Sequence, residues 1–160
     1  MRSWVSSSPD GRRILATVAA SVFALSLGAC SSGVPAATTA VAPVITGAWV
    51  RPPQGMDRPA AGYLVITGGS QGDALIGASS PVAGSVELHE TTTDPSGMTG
   101  MHPVARVEVA AGSTVTFQPG GYHLMFMQLS GTIEIGGTVQ IDLTFEKAGK
   151  ISVQAEVKQG

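Results

Sequence analysis

All three histidines and four of the six methionines of the chain fall between His89 and Met127. They run as His89, Met101-His102 and His123-Leu124-Met125, with Met98 and Met127 close by. Both residue types are scarce here, so their gathering points to a site. Imidazole and thioether together make a ligand set of intermediate to soft character, which suits Cu(I) better than zinc, magnesium or calcium. Thioether sulfur is neutral, polarizable and carries no proton in water. Two neutral imidazoles and two thioethers would therefore bury little charge beyond that of the ion. Cu(II) prefers harder nitrogen and oxygen donors, and zinc usually takes cysteine, histidine and carboxylate.

Strand periodicity indicates how these groups are aimed, because side chains alternate between faces along a strand. In Tyr122–Leu129, Leu124 and Phe126 share one face, and His123, Met125 and Met127 share the other. In Ser85–Thr91, Val86 and Leu88 share one face, and Glu87 and His89 the other. His89, His123 and Met125 can thus leave the core face together. The i, i+2 pair His123 and Met125 projects two ligands from one strand. Met101 sits where the polar loop Thr92–Gly100 re-enters a strand, and His102, before Pro103, reads as a loop-edge residue. Glu87 shares the face of His89 and could serve a harder ion.

Short β-rich segments separated by turn residues make up the chain from Ile45 onward. They are Ile45–Arg51, Ala61–Thr67, Asp73–Ser79, Ser85–Thr91, His102–Ala110, Ser113–Phe117, Tyr122–Leu129, Thr138–Phe145 and Ile151–Val157. No window of a dozen residues in this part carries a helical apolar stripe free of Gly and Pro. The pattern predicts an all-β sandwich or barrel.

Three regions are expected: a signal peptide over 1–29, a flexible tether over 30–44 and a domain over 45–160. Arg2, Arg12 and Arg13 precede an apolar run of 16 residues from Ile14 to Ala29. That is short for a membrane span and normal for the central part of a secretory signal. The run ends in Leu27-Gly28-Ala29-Cys30, which resembles a bacterial lipobox, where the cysteine is lipidated and becomes the mature N-terminus. The stretch from Ser31 to Val44 is uncharged and rich in Ser, Ala, Thr, Val, Gly and Pro, as a tether would be. The membrane would then be reached through the lipid anchor on Cys30 alone, at the extracytoplasmic face.

Cys30 is the only cysteine. Thioredoxin-like pairs, iron–sulfur clusters and a blue-copper site, which needs a thiolate, all lose support. From Cys30 onward there are six Lys+Arg against ten Asp+Glu, a net charge of -4. With no basic run left, nucleic-acid binding is not expected. Catalytic motifs are also missing: no Ser-His-Asp spacing, no HExxH helix, no phosphate-binding glycine loop. The chain is expected not to be an enzyme.

Val86-Glu87-Leu88-His89, Met101 and Gly120-Gly121-Tyr122-His123-Leu124-Met125 resemble the signature of the PCu(A)C periplasmic copper chaperones. Eleven residues separate His89 from Met101, and 21 separate Met101 from His123, as in that signature. Its optional methionine after the first histidine is Glu90 here. The resemblance also covers Ala48-Trp49-Val50-Arg51-Pro52, Ala61-Gly62-Tyr63-Leu64, Ala78–Gly84 and Leu143-Thr144-Phe145-Glu146. It implies a cupredoxin-like Greek-key β-sandwich with a solvent-accessible Cu(I) site. By position it assigns His89, Met101, His123 and Met125 as the metal ligands, and leaves out Met98, His102 and Met127. It further implies delivery to a copper-receiving protein, the Cu(A) subunit of cytochrome c oxidase or another copper chaperone. The competing expectation is an adhesive or structural envelope lipoprotein, whose β-sandwich binds protein and no metal. A third, an electron-transfer cupredoxin, lacks its thiolate.

Overall fold

The computed structural model describes residues 41–55 and 58–160. The signal peptide, Cys30 and most of the expected tether lie outside them. Ten strands form: β1 (Val44–Arg51), β2 (Ala60–Thr67), β3 (Asp73–Ser79), β4 (Ala83–Thr93), β5 (Thr99–Pro103), β6 (Val107–Val109), β7 (Thr114–Phe117), β8 (Tyr122–Leu129), β9 (Thr138–Phe145) and β10 (Gly149–Val157). No helix occurs among the described residues.

The pairing runs β4-β8-β2-β1-β10-β9-β3, and β3 returns to β4 through Ala78 and Val86. Closure into this ring gives a barrel-like β-sandwich with Greek-key strand order, and leaves few edges to protect. β1 and β10 pair in parallel through Trp49–Glu156 and Val50–Val157. Three short strands decorate the ring: β5 continues the edge of β4, β6 extends β3, and β7 bridges β2 and β8.

The inward faces are those the alternation predicts. Val86 and Leu88 of β4 meet Leu124 and Phe126 of β8 in the core, with Leu64, Ile66, Ile141, Leu143 and Phe145. Each such side chain contributes about 1.5–3 kcal/mol by leaving water. Gly62 of β2 lies against Phe126; a Cβ there would sit 2.7 Å from the ring. The close approach of β2 to β8 thus requires glycine, and it brings Ala61 into register with Met125.

A buried carboxylate organises the far corner. Asp73 Oδ1 accepts from the N–H groups of Ala74 (2.8 Å) and Lys147 (2.9 Å), and Oδ2 accepts from Ala148 N–H (2.9 Å). These bonds tie the start of β3 to the β9–β10 turn. Burial pushes the Asp73 pKa up, but the three N–H donors and the Lys147 charge outweigh it, so the carboxyl sits below its ordinary value.

Three expectations need correction. Thr92–Gly100 is not a loop throughout, because β4 continues to Thr93 and β5 begins at Thr99. The β-branched threonines extend the strands, and Thr93 pairs with Thr99 across the hairpin. Asp94 Oδ1 closes the tip by accepting from the N–H groups of Ser96 and Met98, both at 2.9 Å. The single strand expected over His102–Ala110 is instead split into β5 and β6. Pro103 ends the β5 ladder, having no N–H to donate, and the chain crosses to pair with β3. His102 is accordingly an exposed strand residue opposite Glu90, not a loop-edge residue.

At the other end, the first strand starts one residue before the expected Ile45. Val44 already opens β1. Val41 donates to Ser70 Oγ (2.9 Å) and accepts from Ser70 N–H (3.2 Å).

Candidate metal centre

Strands β4 and β8 pair without slippage from Ser85–Met127 to Glu90–Tyr122, which sets His89 directly opposite His123 and Glu87 opposite Met125. Directly opposed residues of an antiparallel pair project to the same face. The β4–β5 hairpin adds Met101, opposite Thr91. The two imidazole centroids lie 5.8 Å apart, with the rings tilted by 43°.

Both histidines point away from the hydrophobic core, yet neither is on the surface. His123 is only 5% exposed, and the His89 side chain 12%. A cleft of about 270 Å³ opens beside His123. Met101, His123 and Met125 line it, together with Arg51, Arg58 and Tyr63. His89 is not part of that lining; it stacks beside His123. Met101 differs from the others, being 61% exposed.

Hydrogen bonding fixes the tautomer of each ring. His123 Nδ1 lies 3.0 Å from the Gly121 carbonyl, which can only accept, so Nδ1 carries the proton. His89 Nε2 lies 3.0 Å from Glu87 Oε2, and a carboxylate also only accepts, so Nε2 carries that proton. The lone pairs are then on His123 Nε2 and His89 Nδ1. These two atoms are buried and have no hydrogen-bond partner. Leaving a buried polar atom unsatisfied costs about 1–3 kcal/mol. Two such atoms on adjacent rings, each with its other nitrogen anchored by an acceptor, is the arrangement that orients histidine for a metal.

The ligand types restrict the ion. Among the described residues, no three or more His, Cys, Asp or Glu side chains gather to hold a metal. Met101 and Met125 stand on the same outer face as His89 and His123, so thioethers are the side-chain donors available to a centre on the two imidazoles. That is a soft set. Glu87, half-exposed, holds His89 Nε2 through its Oε2.

Of the remaining candidates, Met98 is 71% exposed beside the hairpin tip. Met127 lines a different cleft with Gln128, Leu129 and Ile133. His102 lies over Gly100, where a Cβ would be 3.1 Å from its Nε2. The wall made by Arg51, Arg58 and Tyr63 is not evident from strand alternation, since it comes from β1, β2 and the segment between them. Arg51 stands over the Tyr63 ring at 5.7 Å, and Trp49 packs on Tyr63 with centroids 4.4 Å apart. Burial raises the Tyr63 pKa, opposed by Arg51, so the phenol stays neutral.

Comparison with known proteins places this geometry in context. A copper-bound PCuAC domain from PmoF2 is 26% identical and superposes with a TM-score of 0.62, covering 74% of this chain and 93% of that one. The solution structure of CuI-DR1885 from Deinococcus radiodurans is 35% identical with a TM-score of 0.60, covering 78% of this chain and 84% of that one. The fold is thus the cupredoxin-like Greek-key β-sandwich of PCuAC domains. In sequence, "Putative lipoprotein Lxx21020" of Leifsonia xyli subsp. xyli (strain CTCB07) is 30% identical over 151 residues, 91% of this chain and 90% of the relative. The family model described as "Putative lipoprotein LpqE-like" matches residues 44–157, the whole of the ten-stranded unit, and the chain belongs to this LpqE-like family.

Proposed function

We propose that the chain is a lipid-anchored extracytoplasmic copper chaperone that carries Cu(I) and passes it to a partner. The observation that carries this is the pair of buried, unpartnered lone-pair nitrogens, His89 Nδ1 and His123 Nε2, beside the thioethers of Met101 and Met125. The copper-bound PmoF2 domain and CuI-DR1885 support the choice of ion. Copper is cargo here, not a catalytic cofactor, and no enzymatic step is assigned.

The geometry suits release as well as capture. Two anchored imidazoles form the fixed half of the site. Met101, exposed on the short strand β5, forms the yielding half: an incoming ligand can displace a neutral thioether without separating charge. The recipient fitting this chemistry offers stronger soft or imidazole ligands, as the Cu(A) subunit of cytochrome c oxidase or another copper chaperone would. The anchor is assigned to Cys30, following the signal peptide over 1–29, with the intervening residues as tether. Two acyl chains on one residue give durable attachment where a single chain is marginal.

Anaerobic Cu(I) competition titration tests the proposal. The chain should take up one Cu(I), and Met101→Ala should hold it at least about 10-fold more weakly. No uptake by the wild type would overturn the copper function. Cys30→Ala should release the protein from the membrane fraction or stall its maturation; unchanged retention with normal processing would refute the anchor.

A further inference from the structure

The cleft beside the paired histidines is charged against the trend of the molecule. From Cys30 onward the chain carries -4, yet among the described residues two arginines and no aspartate or glutamate line this cleft. The other cations of the domain are engaged. Arg106 pairs with Glu108 and Glu146, Lys150 with Asp142, and Lys158 with Glu156. Lys147 Nζ donates to the Gly72 carbonyl. Among the described residues, Arg51 and Arg58 have no carboxylate partner.

Their placement looks built. Each directly precedes a proline, Pro52 and Pro59, which restricts the backbone on either side. Arg51 is steadied over Tyr63, 5.7 Å from the ring centroid. A cation–π contact of this kind uses none of the guanidinium's N–H donors and leaves them free for a planar anion. A cationic cargo gains nothing from these charges, since like charges repel. What they fit is an anion brought to the cleft from outside.

Resting on the copper-carrier function, we propose that Arg51 and Arg58 form the docking rim for the copper-receiving protein, and that this partner presents a protruding acidic patch. Its carboxylates would neutralise the rim as its metal ligands reach the exposed Met101 at the same cleft. Charge complementarity favours this occupant, and so does shape: a protruding loop enters a concavity of about 270 Å³, which a flat anionic membrane does not.

The test uses the full chain and a two-cysteine acceptor peptide flanked by glutamates, with a twin flanked by glutamines. With copper-free chain, the glutamate peptide should shift the amide resonances of Arg51, Arg58 and Gly120, and the glutamine twin should not. In the Cu(I)-loaded chain, transfer to the glutamate peptide should be roughly 10-fold faster at low salt, the advantage collapsing at about 0.5 M salt. Arg51→Gln/Arg58→Gln should accept both peptides at one rate. Equal rates for both peptides in the wild type, which need no variant, would overturn the proposal, as would a double variant that still discriminates. If phosphatidylglycerol vesicles, but not phosphatidylcholine vesicles, shift the same amides, the rim belongs to a membrane and the proposal falls. The copper-free arm separates the two ideas: a chain that binds the acidic peptide but takes up no Cu(I) retains its rim and loses its copper function.

Discussion

Two of the places where the domain buries polar groups treat them in opposite ways. At the β3 corner, both Asp73 oxygens are satisfied, by three backbone N–H donors from Ala74, Lys147 and Ala148. At the β4–β8 seam, His89 and His123 each anchor one ring nitrogen and leave the other buried without a partner. A satisfied buried group specifies structure, whereas an unsatisfied one calls for an explanation, of which a bound ion is one. Asp73 therefore reads as architecture and the histidine pair as a site, although all three are polar residues with little exposure.

The contrast breaks first if the histidines prove structural. His89→Ala/His123→Ala should lower Cu(I) affinity by at least about 100-fold, the upper end of what losing a mere outer partner costs. Its melting temperature without copper should stay the same or rise, because two unsatisfied buried nitrogens disappear. A large drop in melting temperature with copper affinity retained would reverse the assignment. Calorimetry and competition titration on the same samples decide it.

The converse applies at the corner. Asp73→Asn replaces one accepting oxygen with a donor facing an N–H group, and should cost about 1–3 kcal/mol of unfolding free energy. Copper affinity should be untouched. Denaturant unfolding reads the first and titration the second; weakened copper binding would mean the two regions are coupled.

A smaller effect sharpens the tautomer argument. Glu87→Ala removes the acceptor that holds His89 Nε2–H at 3.0 Å, freeing the ring to turn. Cu(I) affinity should fall by about 10-fold, the low end for loss of a partner behind a ligand. A gain in affinity would instead show that the carboxylate competes with the metal for the imidazole.

The smallest effect concerns acid. The folded Asp73 pKa lies below its ordinary value, and an unfolded aspartate titrates near about 3.9. A depressed folded pKa means that the unfolded chain takes up the proton first. The stabilisation from Asp73 is therefore fully present above about pH 4 and is lost as pH falls through the folded pKa. The stability gap between wild type and Asp73→Asn should narrow over that acid range and stay constant above it. A constant gap down to the lowest pH would place the cost of the substitution elsewhere than in the charge.

Local pattern carried much of the architecture. Asp73–Ser79, Tyr122–Leu129 and Thr138–Phe145 are strands with the bounds that hydrophobic alternation and turn residues indicate, because each is flanked by Gly, Pro or a polar turn. Alternation also set Leu124 and Phe126 inward, with His123 and Met125 on the opposite face. The β4–β5 hairpin escaped it. Thr91, Thr92 and Thr93 look like loop by polarity, while their β-branched shape suits an exposed strand, and the Asp94 turn that folds them back is a matter of side-chain hydrogen bonds. The cleft was not legible at all. Its arginine wall is brought to β8 by the pairing of β1 with β2 and of β2 with β8, a contact between residues about 65–75 positions apart that no local periodicity encodes.

The copper coordination itself is the most direct test. X-ray absorption at the copper edge of the Cu(I)-loaded chain should show a mixed shell of nitrogen from His89 and His123 and sulfur from Met101 and Met125. The sulfur contribution should shrink in Met101→Ala and again in Met101→Ala/Met125→Ala. A shell of nitrogen and oxygen alone, or sulfur scattering that both substitutions leave intact, would contradict the site.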